Sequence, residues 1–285
     1  MIEMIYNPKY AEKGPFKMLF IGLIYASLSL ILVHYFFSGD VVLSDYSGLF
    51  VVLFCVMFSI PFMYFLIKQE TEEDEVVEGF WGVWKAHSDA LYAFMWLFLG
   101  YVVAFAFWFI LLQNFSLFNV QIETYCMINN PGGIEDCVKN YDFTGKVVGS
   151  GAMTGTARFL AILQNNVYVM IFTLVFSFLF GAGAIFILAW NASIIGAAIA
   201  IFSKYNISEI PIGLLRYMIH GFPEIAAYFV TALAGGIFGA EVIKNGIKNR
   251  KLIRVLENSV ILLFIALIIL VAAALIEVYI TPAFF

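Results

Sequence analysis

The sequence predicts an all-α fold, a polytopic transmembrane helical bundle of about seven membrane segments. One of these is a short or re-entrant helix, and another is a Gly-Pro-broken helix. Three observations carry the prediction. Apolar residues make up 63% of the 285 and charged residues only 12%, about half the charge of a soluble domain. The apolar residues gather into continuous runs, several of them about 20 residues long, enough to cross the hydrocarbon as a helix. No run alternates with period two, so helices rather than barrel strands close the backbone hydrogen bonds in lipid.

The runs fall at residues 18–37, 47–67, 90–112, 163–190, 192–202, 223–243 and 259–280. The first follows a polar, mildly basic amino end and precedes no small-residue cleavage site, so it reads as a retained span. Pro61 marks an expected kink in the second. The run 192–202 is too short to cross unless tilted or flanked by protein, and Asn191 reads as its N-cap. Three parts follow: an N-terminal three-helix membrane segment (1–112), an extracytoplasmic loop or cap (113–160) and a C-terminal membrane core (161–285).

Charge sets the expected orientation. Lys9, Lys13 and Lys17 precede the first run, and Lys244, Lys248, Arg250, Lys251 and Arg254 cluster between the last two. The positive-inside rule puts both groups in the cytoplasm. The loop 38–46 carries Asp40 and Asp45 without a basic residue and falls outside. The loop 68–89, with Glu70, Glu72, Glu73, Asp74 and Glu75, falls inside. The expectation is a multi-pass protein of the cell membrane, N-terminus cytoplasmic and C-terminus extracytoplasmic. It requires 192–202 to cross; if that run only re-enters, the basic cluster falls outside. Membrane lies on both sides of the basic cluster, so no nucleic acid is expected as a partner. Cys55 reads as a small core residue. Cys126 and Cys137 flank the turn-forming stretch 129–133. They form a disulfide if the loop is extracytoplasmic, or stay free thiols if it is cytoplasmic.

Ionisable groups inside lipid are costly and mark structure or function. Arg216, His220 and Glu224 recur four apart. Gly221 and Pro223 are expected to end one helix near His220 and start another near Pro223, leaving Glu224 in a first turn. Glu277 near the end of the last run, and Asn165 and Asn166 at the start of the fourth, fall at the same expected depth. Three readings stand for this cluster: a structural ion network, a proton relay and a divalent-cation site. No particular metal is indicated and no cofactor is implied. Gly235, Gly236 and Gly239, with Gly181, Gly183 and Gly196, mark close helix packing. There is no serine elbow, phosphate loop or thiol-ligand metal motif. An enzymatic reading has only two carboxylates and a His behind it, and the balance is against one.

The segments NNVYVMIFTLVFSFLFGAG, HGFPEIAAYFVTALAGGIFG and LIEVYITP, with Asn191 between the first two, resemble the stage II sporulation protein M family. The matching positions are Asn165, Asn166, His220, Gly221, Glu224, Ala234, Gly235, Glu277, Thr281 and Pro282. They cover roughly the C-terminal two-fifths. Two positions depart from the family's pattern: Ile219 stands where a Pro is common, and Pro223 precedes Glu224 rather than following it. The resemblance implies a multispanning scaffold or assembly factor. The family's namesake anchors a cell-wall-degrading complex at the septal membrane of spore formers. Expected partners are membrane lipid, further copies of the chain, and other membrane or cell-envelope proteins. The alternative is a transporter or channel using the His/Glu cluster.

Overall fold

A computed structural model describes residues 9–37, 39–74, 77–113, 115–129, 135, 137–138, 155–180, 185–246 and 251–284. They are helical almost throughout, with no strand among them. In chain order the main helices are α1 (Phe16–Phe36), α2 (Ser47–Asp74), α3 (Phe80–Leu112), α4 (Asn119–Asn129), α5 (Gly155–Phe180), α6 (Ile185–Phe202), α7 (Ile210–Asn245) and α8 (Lys251–Leu275). A π-helical turn, Ile276–Ile280, and a short helix, Thr281–Phe284, extend α8. All but α4 belong to segments long and apolar enough to cross a membrane, seven in total.

The sequence reading needs correction at three places. First, α2 does not end at Ile67. It runs unbroken through Pro61 to Asp74, and α3 starts at Phe80, so most of the expected loop 68–89 is helix. Glu and Gln are good helix formers, and hydropathy reports where the apolar residues stop rather than where the helix does. Second, the fourth run ends at Phe180, and residues 185–190 belong to α6, which has 18 residues and is not a short insert. Residues 163–202 form one nearly continuous apolar stretch, so hydropathy alone misplaces its division. Asn191 therefore lies inside α6, where its Nδ2 donates to Ile187 O at 2.7 Å, and it is not an N-cap. Gly181 and Gly183 lie outside the described residues. Third, α7 is not broken at Gly221–Pro223 but continues for 36 residues. Proline removes one amide donor, and inside a packed bundle neighbouring groups make that loss tolerable. Pro211, by contrast, sits in the first turn of α7, where the missing donor costs nothing.

The core is built around α7, whose most apolar stretch is 78% buried, and which touches α2, α3, α5, α6 and α8. Phe229 of α7 stacks on Phe94 of α3 at 3.9 Å between ring centroids. The approach of α5 depends on two glycines. A Cβ at Gly235 would lie 2.7 Å from Leu174 O, and one at Gly239 would lie 2.5 Å from Phe178 O. Gly236 faces the tip of Ile67 instead. On the other side, Gly22 of α1 and Gly100 of α3 meet backbone to backbone, and Trp108 Nε1 donates to Ser27 Oγ nearby at 2.8 Å. Helices in lipid gain little from the hydrophobic effect between themselves, so such close contacts supply the association energy.

Between α3 and α5, the described helix α4 is docked on the bundle. Gln121 of α4, fully buried, donates to Gly48 O at 2.9 Å and to Ser193 Oγ at 3.2 Å. A disulfide joins Cys126 and Cys137, and Cys55 is a buried free thiol. The stretch 129–133 lies mostly outside the described residues.

The length of α7 orders the rest. Thirty-six residues make a rod of about 54 Å, against about 30 Å of hydrocarbon. Residues 225–240 carry no charge, and Glu224 and Glu241 bracket them, roughly 25 Å apart along the axis.

Replacing Gly239 by Leu pushes a side chain into the Phe178 backbone, which cannot yield as a flexible side chain would. The expected loss is about 1–3 kcal/mol, read as a lower midpoint of thermal unfolding in detergent. Gly39→Ala, where nothing lies within 4 Å, leaves the midpoint unchanged.

Candidate functional site

The first tier gathers around Glu224. Because α7 is continuous, Arg216, His220, Glu224 and Tyr228 follow one another at single-turn spacing on one face. Tyr228 Oη donates to Glu224 Oε1 at 2.8 Å. The side chain of Asn166, buried on α5, also hydrogen-bonds the Glu224 carboxyl. Asn165, one position earlier and exposed, reaches only Asn166 Oδ1, at 3.4 Å. Glu277, in the π-helical turn after α8, lies close enough to Glu224 to act on it electrostatically. His220 Nδ1 stands 3.3 Å from Thr281 Oγ1. The Thr281 hydroxyl donates to Ile276 O at 3.2 Å, which leaves the His220 ring as the donor to Thr281.

Two residues complete this tier, Tyr228 and Arg158. Arg158, in the first turn of α5, acts electrostatically on both His220 and Glu277. The sequence reading had it ending a loop. Tyr228 is not singled out in the sequence, although its position four after Glu224 is a visible signal. The Arg216 guanidinium sits 4.7 Å above the Phe202 ring of α6 and acts on His220 through charge. The tier thus joins α5, α7 and the end of α8. Gly235, Gly236 and Gly239 lie further along α7 and serve the packing already described. Gly221 and Pro223 lie within the same unbroken helix as the tier.

The second tier, at the opposite level, was not foreseen. Glu70 and Asp74 sit one turn apart on α2, and His87 faces them from α3. Both carboxylates are fully buried and His87 is 3% exposed. His87 Nδ1 is 2.6 Å from Glu70 Oε2, and Nε2 is 3.2 Å from Asp74 Oδ1. Glu70 Oε1 and Asp74 Oδ2 have no partner among the described residues, so the imidazole is the group that reconciles two buried acids. Asn258 of α8 caps the same corner, donating to Asp74 O at 3.3 Å and Val77 O at 3.1 Å. The sequence signal was the i, i+4 spacing of Glu70 and Asp74, hidden because the acidic run looked like a solvated loop.

Among the described residues, no three His, Cys, Asp or Glu side chains are arranged to hold a metal ion. In the second tier the histidine separates the carboxylates instead of converging with them on a point. In the first tier Arg158 supplies the positive charge that a cation would otherwise bring. Chemically, both tiers can hold and share protons and fix helices to one another.

His87→Ala leaves two buried carboxylates with no group between them. Breaking a buried pair from one side costs about 3–5 kcal/mol. The expected result is a marked fall in the unfolding midpoint in detergent, larger than that from His34→Ala on the half-buried side of α1.

Fold and tiers together define a class: an all-helical, multispanning membrane protein whose polar groups are organised at two depths. Within that class, the chain belongs to the stage II sporulation protein M family, whose sequence model matches residues 48–282. The match extends well beyond the C-terminal two-fifths noted from the motifs and takes in α2 and α3. No curated protein and no solved structure matches the chain.

Proposed function

We propose that this protein is a membrane scaffold or assembly factor, seated in the cell membrane with its amino end cytoplasmic and its carboxyl end outside. Its exposed α5 holds other membrane or cell-envelope proteins. The observation that carries this reading is the position of α5. Only 11% of its most apolar stretch is buried, against 61% for α3. Yet its back is fixed to α7 by backbone contact at Gly235 and Gly239, and its first half by the hydrogen bond of Asn166 to Glu224. Tyr168, Phe172, Val175 and Leu179 then form one outward apolar stripe, each at least half exposed. A helix held rigidly from behind and left open in front is suited to dock another helix. Depth supports the same reading. Glu224 lies at one edge of the uncharged stretch of α7, whereas transport sites lie near the midplane.

A photo-reactive amino acid at Phe172 or Val175 tests this in growing cells. The expected outcome is adducts of discrete protein mass at those positions and none at Phe20 and Ile24 on α1, which are similarly exposed. Lipid adducts alone at all four positions would remove the scaffold reading.

Transport is the second reading, favoured by the two half-buried carboxylates, Glu224 and Glu277, close enough for one to act electrostatically on the other. Proteoliposomes distinguish the two. The scaffold reading expects proton and cation flux no greater than in empty liposomes. Flux that depends on Glu224 and Glu277, lost in Glu224→Gln and Glu277→Gln, would put transport in its place.

A further inference from the structure

A trench of about 590 Å³ opens on the membrane-facing side of the bundle, between the ends of α2, α5 and α7. Its deeper walls are apolar: Ile60, Tyr64 and Ile67 from α2, Phe178 from α5, and Ala240 and Ile243 from α7. Its mouth is polar, with Lys68 and Thr71 from α2 and Lys244 from α7. One acid, Glu72, shares the mouth. Both lysines and Glu72 are exposed, so the lining of the mouth holds two cationic groups to one acid. Thr71 turns its hydroxyl back to Ile67 O at 2.7 Å and adds no charge.

The arrangement is graded along the bundle axis. On α2 the lining runs from Ile60 and Tyr64 to Lys68 within two turns, and on α7 from Ala240 to Lys244 within one. The lysines lie at the level of the second tier, where the uncharged stretch of α7 ends at Glu241. An aqueous small molecule would find no polar group in the depth of such a trench. A protein helix would need an acid at this one level to match the lysines. A molecule with an anionic head and an apolar chain matches both ends. We propose that the trench is a binding site for an anionic phospholipid, with the phosphate between Lys68 and Lys244 and an acyl chain against Tyr64, Phe178 and Ile243. The basic residues place it in the cytoplasmic leaflet by the positive-inside expectation, where anionic headgroups concentrate. The proposal stands apart from the scaffold reading, since it uses the opposite tier and none of the outward stripe of α5 except its last turn.

Native mass spectrometry of the full chain in detergent tests it, with phosphatidylglycerol and phosphatidylcholine titrated separately. The unaltered protein should retain phosphatidylglycerol at least about tenfold more tightly. The double variant Lys68→Gln, Lys244→Gln should erase that preference, because each lysine at an anionic lipid surface is worth about fivefold. The double variant Lys13→Gln, Lys85→Gln, which removes two exposed lysines outside the trench, should keep it. Ala240→Leu narrows the trench and should weaken both lipids. Equal affinity for the two lipids in the unaltered protein would overturn the proposal, as would an unchanged preference in the Lys68/Lys244 variant. Displacement of bound phosphatidylglycerol by millimolar glycerol 3-phosphate would overturn it too, since that would make the mouth a phosphate site indifferent to the chain.

Discussion

Hydrocarbon offers no hydrogen-bond partner, and the rest of this structure follows from that constraint. Polar side chains that enter the bundle are therefore answered, for the most part, by other side chains or by backbone carbonyls. Glu224 is answered by Tyr228 from its own helix and Asn166 from α5, with Arg158 supplying charge nearby. Glu70 and Asp74 are answered by a single histidine. Because the answering groups come from different helices, each polar pairing is also a statement about which helices are neighbours. The uncharged belt between the tiers carries little such information. There, proximity is set by shape, through Gly22 with Gly100 and through Gly235 and Gly239 with the α5 backbone.

The two tiers do different work in the fold. The tier at Glu224 ties the start of α5 and the end of α8 to the middle of α7, elements far apart in sequence. The tier at His87 joins consecutive helices, α2 and α3, across a short connection, and then recruits α8 through Asn258. One closes the bundle over long range and the other fixes the direction of a hairpin. Neither resembles a solvated catalytic cleft, since the groups face one another across packed helices.

Much of the architecture was legible in the residues. Helical class and the number of spans follow from run length and low charge, and the common depth of Asn166, Glu224 and Glu277 follows from where each run begins or ends. What escaped did so for identifiable reasons. Hydropathy marks the limits of apolar surface, so α2 seemed to stop at Ile67 although Glu70 and Asp74 continue it into the protein. The division between α5 and α6 lies within one apolar stretch and leaves no trace in charge. Pro223 was given the weight it has in water, where a lost amide bond ends a helix, rather than in a bundle that tolerates it. Arg158 was missed because a charged residue at a predicted boundary is ordinarily a loop residue.

The continuity of α7 has a consequence for where the protein can reside. A single stiff rod carries an acid at either edge of an uncharged belt roughly 25 Å tall, and Asn166 of α5 is bonded to the acid at one of those edges. The belt, part of one continuous helix, cannot stretch to suit its surroundings. In a thick, sterol-rich bilayer the acids would be drawn under the acyl chains, and in a very thin one the apolar belt would stand in water. The chain is thus gauged to membranes of a narrow thickness, and a proline that looked like a hinge stands just beyond the ruler's end mark, within the same unbroken rod.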